Sequence, residues 1–117
     1  MTKSINQITQ EEYVIPSVLD DSAQIQNFLA KNTGRKVIVV QGLGFVGAIM
    51  SLVCANALTE EYAVIGIDLA HKNTYWKIKS INDGLFPLIA DDPKIAEFFD
   101  NAKAKGNFFA TYDPIAY

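Results

Sequence analysis

Residues 36–68 restrict what this chain can fold into more than any other stretch. Lys36-Val37-Ile38-Val39-Val40-Gln41 holds an unbroken apolar run, which reads as a buried strand. Gly42-Leu43-Gly44-Phe45-Val46-Gly47 follows without a gap. A long apolar helix over residues 45–58 comes next, then a second buried strand over residues 63–67, then Asp68. Alone, G-x-G-x-x-G is a turn signal. Set between a strand and a helix, with an acid at the tip of the next strand, it is a dinucleotide-binding fingerprint.

Each position in that fingerprint has a physical task. Gly42 allows the tight turn out of the strand. Gly44 lets the backbone approach a pyrophosphate. Gly47 lets the helix lie close to the strand. The N–H groups around Phe45 and Val46 point at the anion from the positive end of the helix dipole, and Leu43 lies within the same loop. The Asp68 carboxylate can accept from both ribose hydroxyls and would repel the extra phosphate of NADP. NAD is therefore the expected cofactor, with His71 and Lys72 as nearby groups that could offset that repulsion.

The remaining elements are punctuated by caps and breakers. Residues 1–35 read as an N-terminal arm, extended around Tyr13-Val14-Ile15, followed by a short helix. Asp21-Ser22-Ala23-Gln24 reads as a capping box, and Ile25, Phe28 and Leu29 share one face of that helix, with Gly34 at its exit. The helix over residues 45–58 has almost no polar face, so it is expected to be buried nearly all round. Its outer side is then covered by another domain, another subunit or the Ile25/Phe28/Leu29 face. Asn73 or Thr74 caps a helix carrying Tyr75, Ile78 and Ile81. Asp92-Pro93 starts another, with Ile95, Phe98, Phe99 and Ala102 as its stripe, Lys103 and Lys105 near its end and Gly106 closing it. Residues 108–111 form a third strand, and Asp113-Pro114 repeats the helix-start signature. The order β-α-β-α-α-β is an α/β pattern, a partial Rossmann-like doubly wound parallel sheet of three strands in the order 3-2-1.

Composition excludes several classes of function. The chain has 117 residues, half hydrophobic and a fifth charged, with net charge -3. That balance supports one packed core and argues against a nucleic-acid partner, which needs clustered Lys and Arg. No apolar run nears the roughly 20 residues that span a bilayer. The single cysteine fits a reducing compartment, the cytoplasm. Cys54 lies seven residues after Gly47, on the helix face that meets the sheet, where a thiol is inert packing. His71 sits beside the adenosine end, away from any reacting nicotinamide. Tyr75 and Trp76 read as packing, Asp91 and Asp92 as a helix start, and no metal-ligand cluster is visible. No catalytic residue is assigned.

The later segments carry a resemblance. Val39 to Gly47 and Val64 to Asp68, with Ile81-Asn82-Asp83-Gly84-Leu85-Phe86-Pro87 and Ala110-Thr111-Tyr112-Asp113-Pro114, resemble the N-terminus of the UDP-glucose/GDP-mannose dehydrogenases, with their "I-N-x-G-x-x-P" and "A-T-x-D-P" stretches. The resemblance covers residues 36–117; the first 35 or so have no counterpart in the simplest members. It implies an enzyme that oxidises the C6 alcohol of a nucleotide sugar to a carboxylate, using NAD twice per turnover through a catalytic cysteine. That cysteine belongs to later parts of the family's chain, and Cys54 is not at its position. The family often carries Lys or Arg shortly after the ribose aspartate. Asn73 stands there, and Lys72, one residue earlier, is the cation assigned to the cofactor.

Residues 36–117 are thus expected to be an incomplete NAD-binding domain of a longer enzyme, not turning over alone. With strand order 3-2-1, the first strand has an open apolar edge, which predicts a homo-oligomer. Two other readings share the fingerprint: a non-catalytic NAD-sensing module, and another NAD-dependent dehydrogenase acting on a hydroxyacid.

Overall fold

The computed structural model describes residues 3–16, 20–57, 61–87 and 93–113. Its main body is a parallel sheet built from β3 (Lys36–Gln41), β4 (Tyr62–Ile67) and β5 (Phe108–Thr111), in the order β3-β4-β5. Val40 lies beside Gly66, and Gly66 beside Ala110, so the three strands end at nearly one level. This is the partial Rossmann-like sheet with the order expected from the sequence.

Side-chain alternation sorts the helices onto two faces. One face presents Val40, Val64 and Ala110. It is covered by α2 (Phe45–Ala55), α3 (Tyr75–Asn82) and α4 (Pro93–Lys105), through Leu52, Ala55, Ile78, Ile81, Phe99 and Ala102. The other face presents Val39, Ala63, Ile65, Ile67 and Phe109, and is covered by α1 (Ser22–Lys31) through Ile25 and Phe28. Phe28 stacks on Phe109 with centroids 5.5 Å apart. Burying those two α1 side chains contributes about 1.5–3 kcal/mol each, which is what holds a short helix on the sheet.

The N-terminal arm is more ordered than its polarity suggests. β1 (Lys3–Ile5) and β2 (Glu12–Val14) form an antiparallel hairpin, with Ser4 opposite Tyr13. Its turn is set by Asn6, whose side-chain oxygen accepts from the N–H groups of Ile8 and Thr9. The inward side of the hairpin places Tyr13 against Tyr75 and Trp76. Those two aromatics are packing residues, as their spacing implied.

Three expectations are corrected. The capping box does not form: Asp21 occupies the N-cap of α1 without a side-chain cap bond, and Asp20 instead accepts from the Ser22 N–H at 3.0 Å and hydroxyl at 2.7 Å. Those bonds hold the Asp20 carboxyl below its ordinary range. The Asp21 carboxylate is drawn away to the Thr111 hydroxyl, 2.6 Å off. Second, α2 is not buried all round. Met50 and Val53 are about half exposed, because α1 covers the opposite face of the sheet and leaves them without a partner. Third, β3 is not a fully buried strand. Val37 is 48% exposed, since among the described residues β3 is an edge strand paired only with β4. Leu58, Asp91, Asp92 and Pro114 lie outside the described residues.

Candidate dinucleotide site

The glycine loop lies at the C-terminal end of β3, where ligands of open parallel sheets bind. Gly42 adopts φ +89°, a conformation that a side chain would strain. Its N–H donates to the Ile67 carbonyl at 2.7 Å, pinning the start of the loop to the end of β4. Gly47 meets the requirement for close approach: a Cβ there would lie 1.8 Å from the Gly42 carbonyl oxygen. A Cβ on Gly44 would meet nothing within 4 Å, so this glycine borders open space. Gly44 is the N-cap of α2, and the backbone N–H groups of Phe45, Val46 and Gly47 open the helix. No earlier carbonyl of the helix can satisfy such first-turn donors, which leaves them available to an anion.

Leu43 turns out to have two separate tasks. Its side chain is fully buried and lies over Gly66, where a Cβ would come within 2.5 Å of the leucine Cδ2. Its backbone N–H donates to Asp68 Oδ2 at 3.0 Å. The Gly66 gap in an otherwise apolar strand was the available signal for this close packing. Asp68 therefore ties the loop to the end of β4, while Oδ1 accepts from the Leu69 N–H at 2.8 Å. Each carboxylate oxygen has one backbone donor and keeps acceptor capacity, so two ribose hydroxyls can still be bound. Glycine loop, helix N-terminus and acid thus converge, and the donor set fits a dinucleotide.

The turn over residues 69–74 follows Asp68. His71 and Lys72 are exposed there. His71 Nδ1 accepts from the Asn73 N–H at 3.2 Å, a turn-forming role. The structure gives Lys72 no contact to Asp68; its carbonyl accepts from the Ser4 hydroxyl at 2.7 Å. Thr74 stands at the N-cap of α3 but makes no side-chain cap bond, and its hydroxyl donates to the Leu69 carbonyl. Cys54 is half-buried against the α2–α4 core.

The motif residues downstream are structural in ways the sequence did not reveal. The Asn82 side chain donates to the Ala110 carbonyl at 2.8 Å and accepts from the Ala110 N–H at 2.9 Å, pairing the outer edge of β5 as a strand would. Gly84 has φ +91°, and its carbonyl accepts from Lys103 Nζ. Thr111 and Asp113 meet the start of α1: Asp113 Oδ2 accepts from the Asp21 N–H at 2.9 Å. Burial, with the Asp113 charge adding to it, raises the Asp21 carboxyl above its ordinary value against the Thr111 bond. Among the described residues, no group of His, Cys, Asp and Glu could hold a metal, and no helix is long and apolar enough to cross a membrane.

No protein-family model matches the chain, and no curated protein matches it. Among solved structures it is similar to an NDP-N-acetyl-D-galactosaminuronic acid dehydrogenase from Methanosarcina mazei Go1, at 31% sequence identity and a TM-score of 0.58. The match covers 76% of this chain and 18% of that one, so the chain spans less than a fifth of the dehydrogenase's length. The chain is thus similar in sequence and fold to a limited part of that dehydrogenase.

Proposed function

We propose that this chain is the NAD-binding portion of a nucleotide-sugar dehydrogenase, an enzyme oxidising the C6 alcohol of a UDP- or GDP-sugar to a carboxylate. One observation carries the reading: the Leu43 N–H to Asp68 bond, which joins the glycine loop to the ribose acid at the mouth of α2. Gly42, Leu43, Gly44, Phe45, Val46 and Gly47 would hold the pyrophosphate by backbone groups. Asp68 would take the ribose hydroxyls, and Lys72 would border the adenosine. The bound NAD supplies a hydride acceptor. The residues of this chain bind and orient it, and the sugar chemistry belongs to other parts of the enzyme. The likeness to a dehydrogenase of an NDP-linked uronic acid supports that substrate class. A cytoplasmic setting accords with the single cysteine.

Titration of the purified chain with NAD and with NADP tests the reading. NAD should bind at least about tenfold more tightly, a difference of about 1.4 kcal/mol set by the Asp68 charge. Equal affinity, or a preference for NADP, would overturn it.

A further inference from the structure

The hairpin over residues 3–14 is tied to the site through one buried hydroxyl. Ser4 is fully buried, and its Oγ makes two bonds to the segment that follows Asp68. It donates to the Lys72 carbonyl at 2.7 Å and accepts from the Trp76 N–H at 3.0 Å. Trp76 is the second residue of α3, and its N–H is one that an N-cap side chain ordinarily satisfies. Thr74 stands at that N-cap but turns its hydroxyl to the Leu69 carbonyl. Ser4, 72 residues upstream of Trp76, takes over the cap. Tyr13 packs beneath it against Tyr75 and Trp76.

Residues 68–76 therefore form one hydrogen-bonded unit. Asp68 binds the Leu69 N–H, Thr74 binds the Leu69 carbonyl, and the His71 carbonyl accepts from the N–H groups of Thr74 and Tyr75. Ser4 adds the long-range bonds that fix this unit against the hairpin. We infer that the N-terminal hairpin is a positioning element of the dinucleotide site, and that Ser4 holds the ribose-side turn, and through it Asp68, in the binding geometry. The inference rests on the proposed dinucleotide reading. It assigns a binding role to a segment outside the glycine fingerprint and remote from it in sequence.

The test is a double-mutant cycle in the whole chain, read by calorimetric titration with NAD. Ser4→Ala removes both hydrogen bonds and should weaken NAD roughly three- to tenfold, a part of their combined worth. In an Asp68→Ala background the same change should cost less than about half of that factor, because both residues act through one turn. Asn56→Ala removes side-chain bonds at the far end of α2, to the Leu52 and Phe98 carbonyls, and controls for plain destabilisation. It should leave NAD affinity unchanged. Hydrogen exchange without ligand should show faster exchange at residues 69–76 in Ser4→Ala than in the parent chain. A parent chain that binds NAD while Ser4→Ala binds it equally well would overturn the positioning role alone. So would effects of Ser4→Ala and Asp68→Ala that simply multiply. A parent chain that does not bind NAD would overturn the site reading, and this inference with it.

Discussion

The two edges of the parallel sheet are finished in opposite ways. On the β5 edge, the Asn82 amide satisfies both backbone groups of Ala110, and Lys103 ties the adjoining Gly84 turn to α4. On the β3 edge, among the described residues, Lys36–Gln41 pairs with β4 alone, Val37 is half exposed, and the strand runs straight into the glycine loop. A side chain closes one edge within the chain. The other is, among the described residues, an edge without a strand or side-chain amide like Asn82 laid along it, and it carries the candidate site. The edge motif remote from the glycine loop is thus a structural plug, whereas the loop at the open edge forms the candidate site.

The largest expected break falls on the open side. Gly47→Val places a Cβ against the Gly42 carbonyl, a backbone atom that cannot move aside. Destabilisation of about 3 kcal/mol or more in urea denaturation, with loss of NAD binding, is expected. A variant as stable as the parent would show that the helix does not need that close approach. On the closed side, Asn82→Ala should cost about 2 kcal/mol, since it leaves both Ala110 groups without their partner. It should also turn β5 into a second open edge and increase self-association in sedimentation experiments. Unchanged stability would mean that water replaces the amide.

The open edge itself is the basis for proposing a homo-oligomer. Sedimentation velocity should show the parent chain associating as its concentration rises. Val37→Lys should reduce that association while changing stability by no more than about 0.5 kcal/mol. A parent chain that stays monomeric at high concentration would remove β3 pairing from the account.

The smallest effect concerns the acid pair beside the closed edge. The Asp21 carboxyl is raised in the folded chain, so the fold holds more protons than the unfolded state between the two values. Its stabilising contribution is full below the ordinary aspartate value and is lost as pH rises through the folded value. Asp21→Asn should therefore raise the melting temperature at pH 7 more than at pH 4. An equal change at both pH values would show that the Asp21 charge carries no cost in the fold.

Periodicity made much of this fold legible. The apolar runs before Gly42 and before Asp68, with the glycines between them, located two parallel strands and the glycine loop. Pro93 placed the start of α4. The failures have a common cause: a linear pattern does not say which face a segment covers. Continuous apolarity in residues 45–58 suggested burial on all sides, yet α1 went to the opposite face and left Met50 and Val53 half exposed. Long-range side-chain bonds were equally hidden. Asp21 looked like half of a local capping box but bonds Thr111, and Ser4 gave no signal that it caps a helix starting at Tyr75. In the candidate site, the placement of the glycine loop and Asp68 at neighbouring strand ends could be read directly. The buried role of Leu43 depended on recognising why β4 carries Gly66.

The central claim is that the glycine loop and Asp68 act together on one dinucleotide. Calorimetric titration of NAD into the parent chain and into Asp68→Ala tests it most directly. The account predicts measurable binding by the parent and at least about tenfold weaker binding by the variant, as expected when the acceptor for the ribose hydroxyls and for the Leu43 N–H is removed together. Equal affinity in the two proteins, or no binding by the parent, would contradict it.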